Sequence, residues 1–149
     1  MEKIFLFDDA FQTRTAIATK LTRRGHDVSS FHSVFVAAEA LKNNQYDWYI
    51  ISLSANVTGL SPACAQRSCA GLYTGWILLT DYILQQRHGK DKLCKAVFLT
   101  SNNNEEQLEK IFLEKAPKKE QRWFYELRER RVFFDKLSGI EAMIHHLEE

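Results

Sequence analysis

The chain has 149 residues, 45% of them apolar and 26% charged, with six Gly and two Pro; a chain of this make-up buries a core, which excludes intrinsic disorder and low-complexity architectures. A formal charge of +1, from 20 basic and 19 acidic residues, excludes a polyanion binder driven by net charge and an acidic tail protein. Length sets the expectation of one domain over 1–149.

Three cysteines, Cys64, Cys69 and Cys94, are an odd number, and the first two match no common zinc or redox spacing; they read as reduced thiols of a cytoplasmic protein. The opening MEKIFLFDD reaches two carboxylates after four consecutive apolar residues, too few for the hydrophobic core of a secretory signal. The uncharged stretch 48–66 is broken by Ser, Asn, Thr, Gly and Pro, so it is not a lipid-facing helix, and no membrane partner is expected.

Residues 3–7 (KIFLF) form a short apolar run ending in Asp8 and Asp9, the pattern of a strand buried on both faces with polar residues at its carboxyl end. Residues 13–24 carry Ala16, Ile17 and Leu21 at helical spacing and stop at Gly25, which tolerates a left-handed C-terminal cap. Residues 26–32 predict a weak strand with Val28 and Phe31. Ser33 is placed to cap a helix over 34–42, with Phe35, Ala38 and Leu41 on one face and Asn43 and Asn44 at its end. Residues 46–53 (YDWYIISL), rich in aromatic and β-branched side chains, predict a central strand with Ser52 at its carboxyl end.

Thr74 is placed to cap a helix through Leu84, and residues 95–99 (KAVFL) predict a fourth strand ending in Thr100 and Ser101. Asn104 begins a further helix with Leu108, Ile111 and Phe112 on its apolar face; Pro117 interrupts it, and a charged helix follows over 118–130. Residues 132–134 predict the last strand. Ser138 is placed to cap a terminal helix whose inner face is Ile140, Met143, Ile144 and Leu147. Five strands alternating with helices predict a doubly wound α/β fold, a parallel sheet with helices on both faces and right-handed crossovers. Ligands of such sheets sit outside the strands' carboxyl ends, which directs attention to Asp8, Asp9, Ser52, Thr100 and Lys136.

At those strand ends the sequence resembles the receiver domain of bacterial response regulators, with the flavodoxin-like strand order 2-1-3-4-5. FLFDD looks like the family's first strand with its acidic pair, YDWYIISLS like its third, VFLTS like its fourth with a hydroxyl residue, and FFDK like its fifth with a lysine. The resemblance implies that Asp8 and Asp9 hold Mg²⁺, that Thr100 contacts a phosphoryl oxygen, that Phe133 is the aromatic of the switch, and that Lys136 pairs with the phosphoacceptor aspartate. That aspartate is absent, because Ser52 stands at the matching position. A serine hydroxyl is a weak nucleophile without an adjacent base, and phosphoryl transfer needs an in-line nucleophile and a cation. Losing one of three carboxylates weakens a hard-cation site, so the expected cofactor is none, or at most weak Mg²⁺ on Asp8 and Asp9, with Lys136 free to neutralise either carboxylate.

Two segments depart from a minimal α/β domain and are expected as insertions. Residues 54–73 are longer than the usual strand-to-helix connection and carry one formal charge, Arg67. Residues at about 114–131 mix basic side chains with Trp123, Phe124 and Tyr125; such a mixture suits either a nucleic-acid backbone with stacked bases or an amphipathic helix with Trp123 and Leu127 at i and i+4. His26, His32, His88, His145 and His146 read as surface or structural residues, and Cys94 as a small core residue.

The expectation is a degenerate receiver-like signalling domain, not an enzyme, that acts by phosphorylation-independent protein–protein interaction. Its partner is a protein, a histidine kinase or another signalling protein, or a second copy of the chain. The alternatives are a receiver phosphorylated at Asp8 or Asp9, a nucleic-acid-associated regulator working through 115–131, and a small flavodoxin-like enzyme or nucleotide binder. The last lacks a glycine-rich phosphate loop and a G-x-S-x-G motif around Ser52.

Overall fold

The computed structural model describes residues 1–54, 62, 74–83, 95–101, 110, 114 and 133–149. Within them β1 (Lys3–Phe7), β2 (Asp27–Phe31), β3 (Trp48–Ser52), β4 (Ala96–Thr100) and β5 (Phe133–Asp135) pair in parallel as one sheet of order β2-β1-β3-β4-β5. This is the doubly wound, flavodoxin-like sheet expected from the sequence. The helices are α1 (Phe11–Arg23), α2 (Val34–Asn43), α3 (Thr74–Ile77, continued as a π-helical segment over Leu78–Ile83) and α4 (Ile140–Glu148). The insertions expected at 54–73 and 114–131, the helices expected between 104 and 130, and the three cysteines fall outside the described residues, apart from Ser54, Pro62, Lys110 and Glu114. Among the described residues no helix is long and apolar enough to cross a membrane.

The central strands are apolar on both faces because both faces are covered. Phe5, Phe7, Tyr49, Ile51 and Phe98 point into one layer, against Val34, Ala37, Ala38 and Leu41 of α2 and Trp76, Leu78 and Leu79 of α3. Ile4, Leu6, Trp48, Ile50, Val97, Leu99 and Phe134 point into the other, against Ile17 and Leu21 of α1 and Met143, Ile144 and Leu147 of α4.

Local chemistry corrects several element ends. Helix α1 begins at Phe11, two residues before the predicted start, because the Asp8 carboxylate takes the Ala10 N–H at 2.9 Å and Arg14 N already donates to the Ala10 carbonyl at 3.0 Å. It ends as expected, at Gly25 with φ +89°. Ser33 occupies the N-cap position of α2, but its side chain makes no capping bond. The buried stripe of α2 is Val34, Ala37, Ala38 and Leu41, and Phe35 is exposed; Phe35, Ala38 and Leu41 recur every third residue and drift around the cylinder, whereas 34, 37, 38 and 41 follow its 3.6-residue turn. Thr74 is the first helical residue of α3, not a residue before it. The N-cap of α4 is Gly139, not Ser138. Asp135 arranges this turn, its Oδ1 accepting the N–H groups of Leu137 (2.7 Å) and Ser138 (2.9 Å).

Candidate functional site

The polar residues singled out in the sequence collect at the carboxyl edge of the sheet because each follows, or ends, a strand that pairs with its neighbour. Asp8 N donates to the Phe31 carbonyl, Leu53 N to Leu99, and Lys136 N to Thr100, at 2.9 to 3.2 Å. These bonds extend the ladder by one residue at β1, β3 and β5 and bring Asp8, Ser52 and Lys136 into contact.

Lys136 Nζ donates to Ser52 Oγ at 2.7 Å and lies 3.4 Å from Asp8 Oδ1. Ser52, fully buried, donates its single proton to the Ser54 carbonyl at 2.8 Å. The lysine therefore meets the hydroxyl's lone pair and not its proton, so the contact is not arranged for the amine to deprotonate Ser52.

Asp8 is fully buried. Its Oδ1 accepts from Ala10 N and Lys136, its carbonyl accepts from the Arg14 guanidinium at 2.8 Å, and its Oδ2 has no hydrogen-bond partner among the described residues. Burial pushes the Asp8 carboxyl above the ordinary aspartate value, the Ala10 N–H and the Lys136 ammonium pull it back, and the Asp9 charge adds to the rise. Thr100 is buried at the end of β4, next to the strand that ends in Ser52, and Asp9 is exposed on the rim. Phe133 is half-buried and stacks on Phe98 with ring centroids 5.6 Å apart at 21°, and Trp76 also meets Phe98, tilted, at 6.1 Å.

The donor set at this edge is poor for a tightly held Mg²⁺. A hard cation that demands octahedral oxygen ligands meets one buried carboxylate already shared with an ammonium, a second carboxylate on the rim, and a hydroxyl where a third carboxylate is needed. No group of three or more His, Cys, Asp or Glu side chains suited to a metal occurs among the described residues.

Three contributors escaped the sequence reading. Arg14 and the Ser54 carbonyl are local contacts that no motif marks. Gly75 is the third: a Cβ there would lie 2.3 Å from the Ser52 carbonyl oxygen, so only glycine lets α3 approach the end of β3. Its signal was an isolated Gly inside a helical pattern.

This sheet, with a polar cluster at the carboxyl ends of β1, β3, β4 and β5, has the receiver-domain architecture. No known family pattern matches the sequence, and no curated protein does. Solved structures do. A response regulator 1452 receiver domain from Francisella is 16% identical, with a TM-score of 0.61 over 99% of this chain and 94% of that one. The N-terminal domain of a response regulator/sensory box/GGDEF three-domain protein from Carboxydothermus hydrogenoformans is 16% identical, with a TM-score of 0.59 over 98% and 90%. Chemotaxis protein CheY4 of Vibrio cholerae is 15% identical, with a TM-score of 0.57 over 99% and 97%. The chain has the fold of response-regulator receiver domains.

Proposed function

We propose that this chain is a receiver-like signalling domain that works through protein–protein contact without accepting a phosphoryl group. The observation that carries this reading is the Lys136–Ser52 hydrogen bond of 2.7 Å. The third strand ends in a buried hydroxyl bonded to an ammonium and a carbonyl, and no carboxylate stands there to attack phosphorus. Asp8 is a poor substitute acceptor because it is fully buried, and Mg²⁺ binding at Asp8 and Asp9 is weak in this reading. The partner is a signalling protein or a second copy, and its contact surface is assigned to 54–73 or to 105–131 with the terminal helix, where the chain departs most from a minimal α/β domain.

The test is intact mass after incubation with acetyl phosphate and Mg²⁺. The unchanged mass is expected, and a stoichiometric single-site phosphoryl adduct overturns the reading; an adduct at Asp8 or Asp9 makes the domain a receiver with a displaced acceptor. Sedimentation and pull-down with Trp123→Ala and a shortened 54–73 segment test the surface, and unchanged mass and partners in both variants place it elsewhere.

A further inference from the structure

His26 lies at the opposite end of the sheet from Ser52, in the turn between α1 and β2. Its side chain is 9% exposed, its ring centroid is 4.7 Å from that of Trp48, and its Nδ1 accepts the backbone N–H of Glu2 at 3.1 Å. A neutral imidazole that accepts at Nδ1 carries its proton on Nε2. That Nε2 is buried without a hydrogen-bond partner among the described residues, yet it lies 3.7 Å from Oε2 of Glu148 in the last turn of α4. Glu148 is also held by Arg24, whose Nε reaches Oε2 at 3.0 Å and whose other guanidinium nitrogen bonds Oε1. That guanidinium keeps the Glu148 carboxyl below its ordinary range.

We infer that His26 is a two-position, proton-driven latch between the first strand and the last helix: neutral, it holds Glu2, and protonated, it releases Glu2 and bonds Glu148. Protonation places an N–H on Nδ1, where the Glu2 N–H already points, so an acceptor–donor pair becomes two opposed donors. At the other ring nitrogen the same event turns a long dipole–anion contact into an ion pair, which closes to a charge-assisted bond of about 2.8 Å with a shift of about 1 Å. Movement of the ring toward Glu148 satisfies both changes. Of the surrounding charges, the Glu148 carboxylate favours the imidazolium, while Arg24 and Lys95 oppose it. Arg24 lies in the ring's own turn and shares the Glu148 carboxylate with it, Glu148 faces it from α4, and Glu2 faces it from the start of the chain through its amide. Lys95 sits over Trp48 at 5.9 Å and donates to the Leu147 carbonyl at 3.3 Å, so it already fixes the helix end that His26 engages.

The test is NMR of the full chain from pH 8 to pH 5, reading imidazole ¹⁵N shifts, Glu2 amide exchange and the amides of residues 147–149, in the wild type, His26→Gln and Glu148→Gln. At pH 8 the Nε2–H tautomer is expected. On acidification Glu2 loses roughly tenfold or more of its exchange protection with the His26 midpoint, and the amides of 147–149 shift with that same midpoint. In His26→Gln the Glu2 response and the His26-linked shift at 147–149 vanish; in Glu148→Gln the Glu2 response stays and the His26-linked shift at 147–149 is lost. The Nδ1–H tautomer at pH 8, unchanged Glu2 protection across the His26 titration, or a 147–149 response at the His26 midpoint that survives in His26→Gln overturns the latch.

Discussion

Ser52 and Gly75 touch backbone to side-chain vacancy: the Ser52 carbonyl oxygen sits 2.3 Å from where a Gly75 Cβ would be, while Gly75 N donates to the next carbonyl, that of Leu53, at 2.9 Å. Gly→Ala inside a helix ordinarily stabilises by about 1 kcal/mol. Here the sign inverts, because the obstacle is backbone at the end of a central strand. Gly75→Ala is expected to cost about 1–3 kcal/mol in chemical denaturation and to shift the amide signals of Ser52 and Leu53; a variant as stable as the wild type contradicts the contact.

Replacing the hydroxyl by a carboxylate changes the pocket's charge. In Ser52→Asp a second carboxylate joins Asp8 beside Lys136, with Asp9 on the rim, and a divalent cation relieves their repulsion. Calorimetry is expected to show Mg²⁺ binding at least about tenfold tighter in Ser52→Asp than in the wild type, with the variant less stable than the wild type when Mg²⁺ is withheld. Equal affinity in the two proteins refutes the weakened-site argument.

Asp8 gives the pocket a pH signature. Its folded carboxyl titrates above the ordinary value of 3.8, so as pH rises from there the unfolded chain loses a proton that the folded chain keeps. Stability contributed by this group falls through that window and stays low above it. Lowered carboxyls at Glu141 and Glu148 act oppositely, losing their contribution as pH falls, so the informative quantity is a difference between variants. Asp8→Asn, which keeps the bond to Ala10 N, is expected to be more stable than the wild type at pH 7, with the advantage shrinking toward pH 4. Urea melts across pH 4–8 decide this, and an advantage that grows in acid is the wrong sign.

The sheet was legible in the sequence because its strands are apolar runs that stop abruptly at polar residues, as at Phe7–Asp8 and Leu99–Thr100–Ser101. Strand order came from the resemblance, and with it the neighbours of Ser52. Helix ends were less legible because they were set by side chains elsewhere: Asp8 starts α1 through the Ala10 amide, and Asp135, not Ser138, organises the entry to α4. Phe35 misled because a large apolar residue in the first turn of a helix suggests burial, while the small Ala37 is what fits against the sheet. The Lys136–Ser52 bond was invisible, since the reading gave Lys136 only a carboxylate as partner.

Strands covered on both faces lose the polar–apolar alternation that ordinarily fixes register. In β1 this chain alternates by size, Ile4 and Leu6 facing one layer and Phe5 and Phe7 the other, and in β4 Val97 and Leu99 share the layer of Ile4 while Phe98 shares that of Phe5. A one-residue slip of β1 would drive its benzyl rings into the positions of Ile4 and Leu6 and leave voids behind them. The double exchange Phe5→Leu with Leu6→Phe preserves composition, hydropathy and strand propensity. It is nevertheless expected to destabilise by several kcal/mol, about 2–5: in β1, volume is the alphabet in which pairing is spelled.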